Sequence, residues 1–322
     1  MNRLGLGFVA CLIAAPVAAE SSAVVAFVGD VMLARTEATG RLIARGGDPF
    51  RRLRSILAPA DLRVANFESA GGRSGKADPA KPFSFRTTAA GVVAFSSVFE
   101  VAGLANNHAV DFGRQALVET LASLRQSGSL GVGAGRDLVE AHRALIVERQ
   151  GVRIGLLGYL DFFPRWFAAA PGLPGVAWLD PRQVAADIAD ARARGAEVVI
   201  VIPHWGEEHQ PQANEHQRSR ARAIIDAGAD AVIGGHPHVV QDYEIYRGKP
   251  ILYSLGNFVF DGFSDEDNIT GWAVFATVDS AGVSAIRTRV VRLDGHGAPA
   301  PDASKSGPCW TRGEAQMTRC AE

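Results

Sequence analysis

Five short apolar runs of this sequence each end on a side chain that can bind a metal ion or carry a proton. Residues 24–28 lead into Gly29 and Asp30, residues 62–65 into Asn66, Phe67 and Glu68, and residues 98–105 into Asn106, Asn107 and His108. Residues 198–203 lead into His204, and residues 231–235 into His236, Pro237 and His238. The last is the sharpest local signal. Gly234 and Gly235 permit a close backbone turn, and two imidazoles one residue apart can face different ions, or one ion and a partner. Alone, such a pair equally suits buried imidazoles that satisfy nearby carbonyls. Together, Asp30, Glu68, Asn107, His204, His236 and His238 make a carboxylate, amide and imidazole set without thiolate. That set suits Mn, Fe or Zn and outnumbers the ligands of one tetrahedral ion. Two ions about 3.5–4 Å apart, bridged by a carboxylate, would use all six.

Side chains so far apart in sequence meet only if the elements carrying them converge. The apolar, β-branched runs alternate with helix-length amphipathic stretches, the pattern of an α/β protein with a mostly parallel sheet covered by helices. Helices are expected over 89–96, 114–127, 182–194 and 216–227, the last three ended by Gly128, Gly195 and Gly228. In open α/β sheets the loops at the carboxyl ends of the strands share one rim, which is where the polar residues would gather. Residues 69–82 read as a surface loop near that rim. Residues 161–174 form a second long connection whose Phe162, Phe163, Trp166 and Phe167 either wall the substrate or pack on the core. A strand pair is expected over 273–278 and 283–293, and a loose tail from Gly295.

The chain of 322 residues is 47% hydrophobic, enough for one large core. With 33 Lys and Arg against 34 Asp and Glu it offers no basic field, so nucleic acid is not an expected partner. Arg3, the apolar residues 4–17 and Val17-Ala18-Ala19 read as a secretion signal, with a mature chain from about Glu20 exported to the periplasm or medium. Three segments follow: a signal peptide over 1–19, one domain over 20–294 and a tail over 295–322. Removing Cys11 with the signal leaves Cys309 and Cys320, which are expected to pair in the tail.

Six ordered blocks resemble those of CapA-like proteins of capsule and poly-γ-glutamate biosynthesis. They are Gly29-Asp30-Val31; Asn66-Phe67-Glu68; Ala105-Asn106-Asn107-His108 with Asp111 and Gly113; His204-Trp205-Gly206 with Glu208; Gly235-His236-Pro237-His238; and Tyr253-Ser254-Leu255-Gly256-Asn257-Phe258. The resemblance spans about residues 23–261. It implies a calcineurin-like metallophosphatase fold, a four-layer sandwich of two mixed β-sheets flanked by helices. On that pattern Asp30 and His238 bind a first ion, Glu68 bridges, and Asn107, His204 and His236 bind a second, while His108 is the acid beside the substrate. Met32 and Glu68 stand where wider phosphatases carry a His and an Asp, which leaves the first position short of an imidazole. Asn66, Arg86, Glu208 and Asn257 are candidates for substrate contact; Asn257 equally fits a strand-end turn, and Glu208 and Arg86 a solvated surface.

Two functions follow. One is hydrolysis of a phosphoester-like bond with the help of one or two divalent transition-metal ions, on a phosphorylated substrate or an anionic polymer. The other is a non-catalytic assembly factor for poly-γ-glutamate or another envelope polymer, working beside capsule-synthesis membrane proteins and binding metal or polymer in the same pocket.

Overall fold

The computed structural model describes residues 21–34, 39–77, 79, 81–162 and 165–320. The expected signal peptide and Phe163 lie outside them. Among the described residues ten strands form one sheet and six another. In the larger sheet, Ser22–Val31, Leu62–Phe67, Val101–Gly103 and Leu130–Val132 run parallel, and Thr270–Asp279 and Gly282–Leu293 add antiparallel strands beyond the first. In the smaller sheet, Val152–Asp161, Val198–Trp205, Ala231–Ile233 and Lys249–Leu252 are parallel, with antiparallel Leu145–Arg149 and Tyr243–Tyr246 at the edges.

Alternation along each strand makes the layers, because successive side chains point to opposite faces. Val25 and Phe27 of the first strand join Val64, Ile154, Ile200 and Ile233 in a core between the two sheets. Ala26 and Val28 point the other way, onto Val92 and Phe95 of helix Ala89–Ser96 and Leu117 and Leu124 of helix Arg114–Gln126. On the far side, Val199 and Val201 meet Ile188 of helix Pro181–Ala193 and Ile224 of helix Glu215–Asp226. The result is the expected α/β sandwich of helix, mixed sheet, mixed sheet and helix. Capping fixes where these helices begin: Thr88 accepts from the Gly91 amide, Asp180 precedes Pro181, and Asn214 and Gln217 cap each other reciprocally.

Two expectations are corrected. The strand expected over 98–105 is only Val101–Gly103, since Val98 and Phe99 still close the preceding helix by bonding to the Phe95 carbonyl. The segment after Gly295 is no loose tail. Pro299–Pro301 and Pro308–Thr311 pair with Gly282–Leu293, Thr318–Arg319 pairs with Pro308–Thr311, and Trp310 and Met317 enter the core between the sheets. Cys309 and Cys320 are joined in a disulfide, as expected.

Candidate metal centre

The carboxyl ends of the parallel strands of both sheets bring the strand-end residues together. Asp30 is the penultimate residue of Ser22–Val31, Glu68 follows Leu62–Phe67, and His204 lies in Val198–Trp205. Gly29 lets the first strand approach closely here, because a Cβ on it would lie 1.8 Å from the Gly256 carbonyl oxygen. His236 and His238 both take positive φ, 99° and 59°, a costly conformation for residues other than glycine and one that recurs at functional sites.

Asn66 sets the two carboxylates. Its Nδ2 lies 2.8 Å from Asp30 Oδ1 and 3.0 Å from Glu68 Oε2, and its Oδ1 accepts from Asn106 at 2.9 Å. One oxygen of each acid is thereby satisfied. The others, Asp30 Oδ2 and Glu68 Oε1, are buried and make no hydrogen bond among the described residues, and the same holds for His236 Nε2. Asp30, Glu68 and His238 offer ligand atoms within 4.8 Å of one another. Asn257 Oδ1 lies 2.9 Å from His238 Nδ1, leaving Nε2 to face Glu68 Oε1 at 3.7 Å. Beside this triad His204 Nε2 lies 2.9 Å from Asn107 Oδ1 and 3.1 Å from His236 Nδ1. Among the described residues Asp30 Oδ2 has only His238 Nδ1 close by, at 3.2 Å, and Glu68 Oε1 and His236 Nε2 have no hydrogen-bond partner. Buried polar atoms so placed are costly unless something binds them, and oxygen and imidazole donors suit a divalent transition metal.

Electrostatics agree. Burial, helped by the neighbouring imidazoles, keeps His236 far below the usual histidine range, and burial holds His204 down at about 3, so both are neutral at pH 7 with lone pairs to give. Burial works against charge on His238 too, but Glu68 and Asp30 outweigh it and push the imidazole up to about 9. Burial and the adjacent Asp30 raise Glu68 well above the carboxylate range, whereas His238, His204 and Asn66 overcome the burial of Asp30 and hold it low. At pH 7 Asp30 is thus ionised while Glu68 and His238 hold protons that a bound cation would displace.

His108 borders the pocket, its Nε2 3.9 Å from Glu68 Oε1. Its Nδ1 donates to Asp111 Oδ2 at 2.7 Å, which fixes the ring; burial keeps it below the usual histidine value although Asp111 opposes this. Lys81, which nothing in the sequence marked, pairs with Asp111 and donates to the Asn107 carbonyl at 2.6 Å. Aromatic rings close the surroundings: Phe85 lies 4.2 Å from His108, Phe260 4.7 Å from His238 and Phe162 4.9 Å from His236, between ring centres. Phe167 is core, and Trp166 stacks on it, 42% exposed.

The substrate-contact candidates divide. Glu208 is half-exposed and near enough to raise both Glu68 and His238. Arg86 is not at the centre: it bonds to the carbonyls of Arg73, Ser74 and Gly75 and stacks on Phe112, so it braces the loop. Asn257 is fully buried and spends its amide on the His238 and Asn268 carbonyls. Asn257 and Asn66 therefore hold the ligand side chains and have no group left for substrate.

This combination of a two-sheet sandwich with a buried carboxylate and imidazole cluster at its strand ends defines an α/β sandwich protein with a site able to coordinate a divalent metal ion. Within that class, the chain belongs to the bacterial capsule synthesis protein PGA_cap family, whose model matches residues 24–262. It is 37% identical over 241 residues to the PGA biosynthesis protein CapA of Bacillus subtilis (strain 168), across 73% of this chain and 62% of that protein. It is 36% identical over 166 residues to the capsule biosynthesis protein CapA of Bacillus anthracis, across 51% of this chain and 40% of that one. The match thus spans less than two thirds of either relative. Among solved structures, the Haemophilus influenzae NAD nucleotidase is similar in fold at 13% identity and a TM-score of 0.48, covering 88% of this chain and 54% of that one.

Proposed function

We propose that the chain is an exported, metal-dependent hydrolase of a phosphoester-like bond in capsule or envelope polymer metabolism. The observation that carries the reading is the buried triad of Asp30, Glu68 and His238, whose ligand atoms lie within 4.8 Å of one another while Asp30 Oδ2 and Glu68 Oε1 make no hydrogen bond among the described residues. Asp30, Glu68 and His238 would hold one ion; Asn107, His204 and His236, with Glu68 between the two groups, would hold a second. A divalent ion there supplies Lewis-acid polarisation and an activated water at neutral pH. The chain's own residues do the rest. Asn66 and Asn257 aim the ligands, and Asp111 holds His108 so that Nε2, loaded with a proton from solvent, gives it to the leaving oxygen. The apolar stretch after Arg3 supports export. The test is a hydrolysis screen of the metal-loaded protein over phosphomonoesters, phosphodiesters and γ-glutamyl polymers, with chelated protein as control. Chelator-sensitive turnover of at least one phosphoester is expected; no turnover in any metal would refute the hydrolase reading.

A second reading has its own support. The relatives are described by capsule or PGA biosynthesis, and Met32 packs with Phe85, Phe260 and Leu293 where wider phosphatases carry an imidazole. On this reading the chain assists assembly of an anionic polymer such as poly-γ-glutamate without turnover, alongside capsule-synthesis membrane proteins.

A further inference from the structure

Helices cover the outer face of the larger sheet up to its strand Ser22–Val31, and the next two strands leave that face partly open. A groove of about 910 Å³ lies there, with half-buried Val24, Thr277 and Phe275 in its floor, Ile56 and Pro59 along one wall and the loop 301–306 along the other. Arg287 and Arg289 also line it. Two residues apart on one strand, they share a face, and they stand exposed in register with Phe275 and Ala273.

Neither guanidinium has a hydrogen bond or an acidic partner among the described residues. Their neighbours differ: Arg292 of the same strand pairs with Glu266, and Arg312 with Asp279. The other charged groups of the groove are Lys305, which pairs with Glu266, and Asp302, which accepts from the Ser304 amide at 3.0 Å and stays ionised beside Lys305 and Arg292, so the two free guanidiniums leave the groove net positive. Two free guanidinium forks above an aliphatic and aromatic floor offer bidentate donors for carboxylates and a dry surface for methylenes. A polyphosphate has charge for the forks but nothing for the floor. We propose that this groove binds an extended polycarboxylate chain whose repeat carries methylenes as well as a carboxylate. It lies toward the opposite end of the strand from Asp30, roughly 20 Å away at about 3.3 Å per residue, so it is separate from the metal centre. The occupant rests on the polymer association proposed above; the place rests on the groove alone.

Fluorescence anisotropy of a labelled poly-γ-glutamate oligomer, titrated with the full chain at low and at physiological salt, tests both. Wild type should bind the oligomer more tightly than a polyphosphate of equal charge. Arg287→Gln/Arg289→Gln should weaken binding about tenfold or more, as expected for lost charge-assisted contacts, while keeping wild-type melting. Thr277→Glu, which puts a negative charge in the floor, should do the same, and EDTA should change nothing. Wild-type binding that survives both substitutions, or that EDTA abolishes, overturns the groove and leaves the polymer association standing. Preference for polyphosphate overturns the polycarboxylate assignment. No binding by wild type overturns the polymer association itself.

Discussion

The capacity of Asp30 and Glu68 to take a cation depends on what Asn66 does with their other oxygens. By donating to one oxygen of each acid, its amide holds two buried carboxylates side by side with their remaining lone pairs aimed inward. The six strand-end residues were legible in the sequence because each follows an apolar run. Asn66 and Asn257 were legible as positions but not as roles, since their bonding is decided by neighbours distant in the chain. Lys81 was invisible: a lysine in a polar loop carries no signal until its pairing with Asp111 is seen. His108 follows the ligand candidate Asn107 and faces the pocket with its tautomer fixed by Asp111. His108→Gln should therefore retain metal and melting temperature yet lose about 10²–10⁴-fold in turnover, least for substrates with good leaving groups. Steady-state kinetics over a leaving-group series checks this; equal rates on poor leaving groups would remove the role.

At the scale of elements, strands and helices were readable because apolar periodicity and capping agree, and the four expected helices start and stop within a residue of the observed ones. What periodicity could not give was the division of strands between two sheets, since an apolar run reads the same whichever sheet it joins. The loop 69–82 owes its course to Glu119 of helix Arg114–Gln126, which accepts from the Arg73 and Ser74 amides at 2.7 and 2.9 Å and from the Ser74 hydroxyl. The Ser74 hydroxyl, with those amides, depresses the Glu119 carboxyl from 4.5 to about 2. A depressed carboxylate stabilises the fold above its unfolded value, and the contribution disappears as pH falls through the folded one. The melting difference between wild type and Glu119→Gln should thus be present at pH 6 and narrow as pH drops from about 4.5 toward about 2. Parallel melting curves across that range would show that the charge does not hold the loop.

At the scale of the whole molecule, the final segment ties the larger sheet together, although its sparse apolar residues read as a tail. Trp310, 2% exposed, anchors it between the sheets, and the disulfide closes a separation of 11 residues around it. Closing so short a loop restricts the unfolded chain by about 3 kcal/mol in the entropy model. Because the segment is part of the core, Cys309→Ser/Cys320→Ser should lower global stability by a similar amount in denaturant unfolding; an unchanged midpoint would make the segment peripheral after all. The two sheets themselves meet around the strand-end cluster, and the whole account turns on whether that cluster holds metal. Elemental analysis of the purified protein, wild type beside His204→Ala, His236→Ala and His238→Ala, measures this most directly. The account predicts a bound divalent transition metal in wild type, at one or two ions per chain, and a lower stoichiometry in each folded variant. Wild type that takes up no transition metal, or the same metal content in all four proteins, would contradict it.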